Sequence, residues 1–330
     1  MTNSTGGLNT ADGAFALFSN ATGGDNTAIG NRALLSNVDG NSNSAVGSSA
    51  LSSNRHAGRN TAVGDGALLN NDSSGNATGT SNTAVGAGAL LSNIDADQNT
   101  AVGSGALLNN DSSGNVAANN NTAVGAGAML SNTDGDKNTA TGAGALFNNT
   151  EGESNTATGF TALLSNTTGG GNTATGGSAL GNNIVGGGNT ADGAFALQGN
   201  TTGGTNTAVG GGALQNNTTG SNNIALGVSA GSVLTTGDNN IDIGNSGAAN
   251  EANTIRIGDV QGITFIAGIR GVTTGNAALP VLIDTAGQLG TMSSSSRFKK
   301  EIKPMDCASE AILALKPVTF QYKADKTSTP

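Results

Sequence analysis

The sequence is poor in the residues that build large cores and catalytic sites. Its 330 residues include no Trp, one Tyr, one His, one Cys and four Pro, and aromatic residues make up 3%. So few large side chains exclude a wide globular core, and one Cys cannot form an intrachain disulfide. No window approaches the ~18 consecutive apolar residues of a membrane-spanning helix. The interior must therefore be thin and built from small side chains.

The distribution of charge argues against nucleic-acid binding. Seven of the 13 basic residues but only four of the 22 acidic ones follow Ser296, which gives this tail a net charge of +3. The acidic remainder would repel a phosphate backbone. Residues 1–8 contain no basic start followed by an apolar run, so we expect no secretory signal peptide in the chain as given.

The sequence is rich in Gly, with 54 residues, and in a repeated Asn-Thr-Ala-x-Gly signature. The step between units is 17 residues, except for two steps of 22 whose extra residues fall in 72–81 and 111–120. From Asn240 to the related segment at Asn253 the step shortens to 13. A short fixed period indicates coils that are stable only when stacked on their neighbours. The units begin at Asn9, Asn26, Asn43, Asn60, Asn82, Asn99, Asn121, Asn138, Asn155, Asn172, Asn189, Asn206, Asn223 and Asn240.

The positions within a unit predict the kind of coil. Ala stands third, Gly fifth, Ala eighth, Leu ninth and a second Asn twelfth in most units. We read these as two short extended runs, T-A-x-G and x-A-L-x, between corners rich in Asn and Gly, because so much Gly and Asn leaves no useful helical run. The prediction is an all-β protein, a parallel β-solenoid (β-roll) of about fourteen coils over residues 1–258, roughly 65 Å long.

Stacking in register places each signature Asn above that of the previous coil. Side-chain amides in such a column can hydrogen-bond along the stack as a ladder. The predicted ladder consists of Asn26, Asn43, Asn60, Asn82, Asn99, Asn121, Asn138, Asn155, Asn172, Asn189 and Asn206.

A coil this thin would leave outward stripes of Ala and Val exposed to water. We expect copies of the chain to bury them by associating along the rod axis as a parallel homotrimer. No cofactor or metal is expected. The basic corner around His56 lacks further ligands, and the acidic corners at 95–97 and 134–136 lack calcium-loop spacing.

Three successive units carry Thr-Ala-Thr in the signature, at 139–141, 156–158 and 173–175. A flat Thr array is typical of ice-binding solenoids, which gives an alternative function. The competing interpretation is that Thr suits a half-exposed strand position.

The N-T-A-x-G unit resembles the repeats in the heads of trimeric autotransporter adhesins and, more closely, the NTAxGxxALxxNTTG arrays of tail-fibre-domain proteins. The resemblance covers residues 9 to about 258. It implies a left-handed β-roll in an extracellular fibre on a cell surface or virion, for surface attachment or host recognition, with an unknown ligand. Similarity between repeats predicts the architecture of a protein better than it predicts the ligand.

After the rod, residues 259–293 predict a β-rich connector with strands at ITFIAGI and LPVLID. Residues 294–330 predict a short α/β segment, in which a helix capped by Asp306 ends at Pro317 and VTFQYK forms a strand.

The segment from Ser294 resembles the opening of the endosialidase-type intramolecular chaperone, a self-cleaving trimerisation domain of phage tail spikes. The match rests on Ser294, Arg297 and Lys299, followed by LKPVTFQYK. It implies Ser294 as nucleophile and Lys299 as base for cleavage between Ser293 and Ser294. Ser295 stands where the family usually has Asp, and only 37 residues follow Ser293. We therefore expect a truncated chaperone in a non-enzymatic structural fibre, with a self-cleaving tail spike as an alternative.

Overall fold

The computed structural model describes residues 5–111, 118–266, 281–283, 285 and 289–291. By contacts the chain divides into two compact units, Met1–Gly262 and Ile263–Pro330. The first unit contains the repeats.

The repeat unit is a parallel β-solenoid with one three-residue strand in each coil. Fifteen strands form a single sheet in the order of the sequence, and the described residues contain no helix. The predicted all-β solenoid of about fourteen coils is therefore confirmed. The strands are β1 Thr10–Asp12, β2 Thr27–Ile29, β3 Ser44–Val46, β4 Thr61–Val63, β5 Thr83–Val85, β6 Thr100–Val102, β7 Thr122–Val124, β8 Thr139–Thr141, β9 Thr156–Thr158, β10 Thr173–Thr175, β11 Thr190–Asp192, β12 Thr207–Val209, β13 Ile224–Leu226, β14 Ile241–Ile243 and β15 Ile255–Ile257.

The register follows the signature through both insertions. Thr10 pairs with Thr27 across a regular step of 17 residues. Thr61 pairs with Thr83 and Thr100 with Thr122 across the two steps of 22 residues. The extra residues therefore lengthen one corner of the coil without moving the strands.

The last step was predicted wrongly. Ile241 pairs with Ile255 and Asp242 with Arg256, a step of 14 residues rather than 13. Asn253 resembles a signature Asn but lies beside Asn239, whose Nδ2 donates to its Oδ1 at 3.2 Å. Thr254 takes the signature position, and its N–H donates to Asn240 Oδ1 at 3.1 Å. The alternation Ile-x-Ile sets the register here.

The second predicted extended run is wrong as well, because x-A-L-x forms turns. In the eighth coil the Ala145 N–H donates to Gly142 O at 3.2 Å and the Asn149 N–H to Leu146 O at 3.2 Å. Leu146 itself has φ of 51°, in the left-handed region. Its N–H bonds to Ala162 O of the next coil at 2.9 Å. Hydrogen bonds between the stacked turns of successive coils hold Leu146 in a left-handed backbone conformation that Leu by itself disfavours.

The core is the narrow interior of the coil, filled by the third-position Ala, the eighth-position Ala and the ninth-position Leu. Ala140, Ala145 and Leu146 are completely buried within one chain, as are their counterparts in the neighbouring coils. The fifth-position Gly has φ of +126° at Gly176, and a Cβ there would lie 2.6 Å from the carbonyl carbon of Gly193. Gly is needed because successive coils touch backbone to backbone at this column.

The second unit contains an antiparallel pair of strands, β16 Val281–Ile283 and β17 Leu289–Thr291. β16 falls within the predicted strand LPVLID. The other predicted strand, ITFIAGI, is not formed over residues 263–266, and its remainder lies outside the described residues.

Candidate interaction face of the solenoid

The eleven Asn residues predicted as a ladder stack in one buried column. Asn138 shows the pattern: its Nδ2 donates to Gly152 O at 2.8 Å, and its Oδ1 accepts the Asn155 N–H at 2.9 Å. Each amide therefore bonds the backbone of the final corner of its own coil and the backbone N–H that begins the next coil. Bonds between two amides of this column are fewer, and examples run from Asn189 Nδ2 to Asn172 Oδ1 at 3.2 Å and from Asn206 Nδ2 to Asn189 Oδ1 at 3.1 Å.

A true amide-to-amide ladder is formed by the twelfth-position Asn column. Asn149 Nδ2 donates to Asn132 Oδ1 at 2.8 Å, and Asn166 Nδ2 donates to Asn149 Oδ1 at 2.8 Å. The same Asn149 Nδ2 also donates to Gly152 O at 2.9 Å, which closes its own corner. Each amide of this column thus joins two coils and one turn, so both Asn columns are structural.

The insertions locally disturb the first column. Asn60 begins the first enlarged coil, and its buried Nδ2 has no hydrogen-bond partner among the described residues. In that coil Asn71 Nδ2 reaches Gly79 O at 2.8 Å. Asp72 ties the enlarged corner to the preceding coil, because its Oδ2 accepts the N–H of His56 at 2.6 Å and of Ala57 at 3.1 Å.

The fourth-position side chains face outward from the sheet and form an apolar row, which we call the valine stripe. Each of its members is 37 to 41% exposed in the single chain, whereas the Ala residues of the third and eighth positions are buried inside the coil and form no outward stripe. Apolar side chains in a continuous exposed row mark an interaction surface. The valine stripe consists of Ile29, Val46, Val63, Val85, Val102 and Val124.

A second row of apolar side chains occupies the tenth position of the unit. Leu69 and Leu91 are half-buried. They lie over the seventh-position Gly66, where an added Cβ would be 3.8 Å from Leu69 Cδ1 and 3.9 Å from Leu91 Cδ1. Between the rows the fifth, sixth and seventh positions carry mostly Gly, Ala or Ser.

In β8 to β10 the same face becomes polar. All six Thr side chains of the three Thr-Ala-Thr strands are exposed while the central Ala is buried. They stand in register, with Thr139 beside Thr156 and Thr156 beside Thr173. The face therefore has an apolar part from β2 to β7 and a hydroxyl part from β8 to β10.

The charged side chains at the corners form hydrogen bonds with other groups of the same chain. His56 Nδ1 lies 2.7 Å from Asp39 Oδ1 on the preceding coil. Asp97 Oδ1 accepts the Thr80 N–H at 2.5 Å, and Asp136 Oδ1 accepts the Asn119 N–H at 2.6 Å. In the described part of the chain, no group of three or more His, Cys, Asp or Glu side chains could hold a metal ion.

The last coil contains charged residues that the sequence analysis missed. Asp242 occupies the third position, where earlier coils carry Ala, and is 1% exposed. Burial, and secondarily the charge of Glu251, raise the pKa of Asp242 to about 6. Hydrogen bonding to Arg256 lowers the pKa of Glu251. The signal was present, since no other unit has a charged residue at its third position.

Comparisons with known proteins bear on the C-terminal segment. Residues 294–330 match the family model described as the chaperone of endosialidase. A search of curated proteins and a search of solved structures gave no match. The predicted catalytic residues Ser294 and Lys299 lie in this segment, outside the described residues. No helix within the described ranges is long and apolar enough to cross a membrane.

Proposed function

We propose that this chain is a structural fibre protein of the tail-fibre or adhesin-like type, which serves surface attachment and host recognition. The observation that carries the proposal is the order of its parts. A rod with an exposed apolar stripe precedes a segment that matches the chaperone of endosialidase. The rod supplies length and a repeated surface, and the C-terminal segment would assist the association of chains.

In this proposal the fibre is a parallel homotrimer in which the valine stripe of each chain packs against the other two. Each stripe residue keeps 37 to 41% of its surface exposed in the single chain. A closed ring of identical rods would bury all copies of the stripe equivalently. The hydroxyl part of the face would then continue the contact with polar side chains.

The native mass of the wild-type chain tests this proposal. Sedimentation equilibrium in dilute solution should give three times the chain mass of 31.8 kDa. A chain that sediments at its monomer mass at micromolar concentration contradicts the homotrimer and leaves the valine stripe without its proposed partner.

Self-cleavage is a separate proposal for the same segment, favoured by a match that begins at Ser294. Ser294 would act as the nucleophile and Lys299 as the base that accepts its proton. Mass spectrometry of freshly expressed protein should then show two products that meet between Ser293 and Ser294. Ser294→Ala should leave the chain intact, and an intact wild-type chain contradicts self-cleavage.

Ice binding is a second candidate function, favoured by the six exposed Thr side chains in register on β8 to β10. Thermal hysteresis of the concentrated protein is the direct measurement. Arrest of ice growth that is lost in Thr156→Tyr supports this function, and normal ice growth at high protein concentration removes it.

A further inference from the structure

The coil that ends the solenoid differs from the others in its interior. The third position carries Ala in every earlier coil, and Ala225 is the nearest example. Asp242 pairs in register with Ala225 on one side and with Arg256 on the other. A carboxyl group thus stands where the pattern of the fold calls for a methyl group.

The Asp242 carboxyl group lies in an apolar space. Neither of its oxygens has a hydrogen-bond partner among the described residues. An added Cβ on Gly231 would lie 3.2 Å from Asp242 Oδ2 and 3.4 Å from Ala225 Cβ. One on Gly247 would lie 3.0 Å from the same oxygen and 3.2 Å from Leu234 Cγ. An ionised carboxylate without partners in such a space is strongly disfavoured.

Two charged groups lie near Asp242, and each is bound to the other. Arg256 Nε donates to both carboxylate oxygens of Glu251 at 2.9 Å, and its Nη2 donates to Glu251 Oε2 at 2.7 Å. Glu251 Oε1 also accepts the Ala248 N–H at 2.8 Å. This forked pair holds the guanidinium against Glu251. The positive charge that could neutralise Asp242 is therefore committed elsewhere, and Glu251 adds a like charge.

The geometry points to a proton-dependent end cap, in which residues 245–258 close over the rod when Asp242 is protonated and open when Asp242 is ionised. Closure pairs β15 with β14 and covers the carboxyl group. Opening hydrates the carboxylate and exposes the edge of β14, with its unpaired backbone groups, to another strand. This inference stands on the last coil alone and does not depend on the proposed fibre function.

The direction of the pH dependence follows from the raised pKa of Asp242. The value is about 6 in the closed coil against an ordinary value of 3.8. The closed coil therefore binds the proton more tightly than the open one. Its added stability is fully present below pH 3.8 and is lost as the pH rises through about 6.

Hydrogen exchange of individual backbone amides measures the opening. The Gly258 N–H donates to Ile243 O at 2.8 Å and the Ile241 N–H to Thr254 O at 2.9 Å, so both report on the pairing of β14 with β15. The Thr156 N–H, which donates to Asn172 O at 2.8 Å in the middle of the rod, serves as the internal reference. Rates are corrected for the intrinsic pH dependence of exchange.

Between pH 4 and pH 7 we expect protection of the two end-cap amides to fall on the order of 100-fold, with the reference unchanged. Asp242→Ala restores the usual third-position residue, and Asp242→Asn keeps the shape of the side chain without a titrating proton. Both variants should stay protected at pH 7. Asp238→Asn removes an exposed carboxylate nearby and should keep the wild-type fall.

Three results would overturn the end cap. The first is equal end-cap protection of the wild-type chain at pH 4 and pH 7. The second is a pH-dependent fall that persists in Asp242→Ala and Asp242→Asn. The third is an absence of end-cap protection at both pH values.

Discussion

The interior of the solenoid and its exposed strand face follow different rules. Inside, the same few side chains recur from coil to coil, as Ala140, Ala145 and Leu146 do in the eighth. Outside, the fourth position changes from Val in β3 to β7, to Thr in β8 to β10, and to Asp in β11. The contrast teaches that stacking constrains the inside, whereas the outside is free to vary with function.

Adjacent residues that differ in contact with the next coil give the sharpest test of this contrast. Gly176 has φ of +126° and touches the backbone of Gly193, whereas Gly177 has nothing within 4 Å of an added Cβ. We expect Gly176→Ala to destabilise the adjoining coils by about 4 kcal/mol. Gly177→Ala should change stability by less than about 0.5 kcal/mol. Hydrogen exchange of the coil amides measures both, and equal effects would contradict backbone contact at this column.

The ninth and tenth positions allow the same comparison for apolar side chains. Leu163 is completely buried, and its neighbour Leu164 is half-buried. Leu163→Ala should cost about 3 kcal/mol, because it leaves a cavity that the narrow coil cannot close. Leu164→Ala should cost about 1 kcal/mol. Local unfolding free energies from hydrogen exchange measure both losses. A larger loss for Leu164→Ala than for Leu163→Ala would contradict the assignment of the ninth position to the core.

The two Asn residues of one corner test the amide ladder. Asn149 is buried and makes bonds to three groups, while Asn148 is exposed. Asn149→Ala leaves buried polar groups without partners, so we expect a loss of about 2 kcal/mol. Asn148→Ala should stay within about 0.5 kcal/mol of the wild type. Thermal unfolding of the two variants measures the difference. If both variants unfold at the same temperature, the ladder is not a major source of stability.

The smallest effect on the single chain is expected at the valine stripe. Val102 is 38% exposed and contributes little to the coil interior. Val102→Thr keeps the branched shape and copies the residue found on β8 to β10. The local unfolding free energy should change by no more than about 0.5 kcal/mol. A loss as large as that of Leu163→Ala would mean that the fourth position belongs to the core.

Much of the fold followed from the repeat, because the spacing of Asn, Ala, Gly and Leu reports directly on stacking. The strands, the site of the insertions and the thin Ala and Leu interior could all be predicted. The turn conformation of x-A-L-x could not. The positive φ of Leu146, 51°, is imposed by bonds to the next coil rather than by local preference.

The errors at the end of the rod have a physical cause. Asn253 carries the signature letter, but the alternating Ile255 and Ile257 decide the register by pairing with Ile241 and Ile243. The burial of Asp242 could have been inferred from its place at the third position of the unit. Its isolation could not, because the commitment of Arg256 to Glu251 is a matter of side-chain geometry. The valine stripe could be predicted as exposed, while its separation from the buried Ala columns required the structure.

We propose that the inside of the coil determines the fold and that the valine stripe mediates the association of chains. The most direct test is the native mass of a double variant, Val85→Lys with Val102→Lys, compared with a control pair, Ile184→Lys with Val185→Lys. The control residues are exposed to similar or greater extents, 43 and 48%, but lie on a corner. We expect the stripe variant to sediment as a folded monomer and the control to keep the trimer mass proposed for the wild type. A stripe variant that remains trimeric would contradict the account.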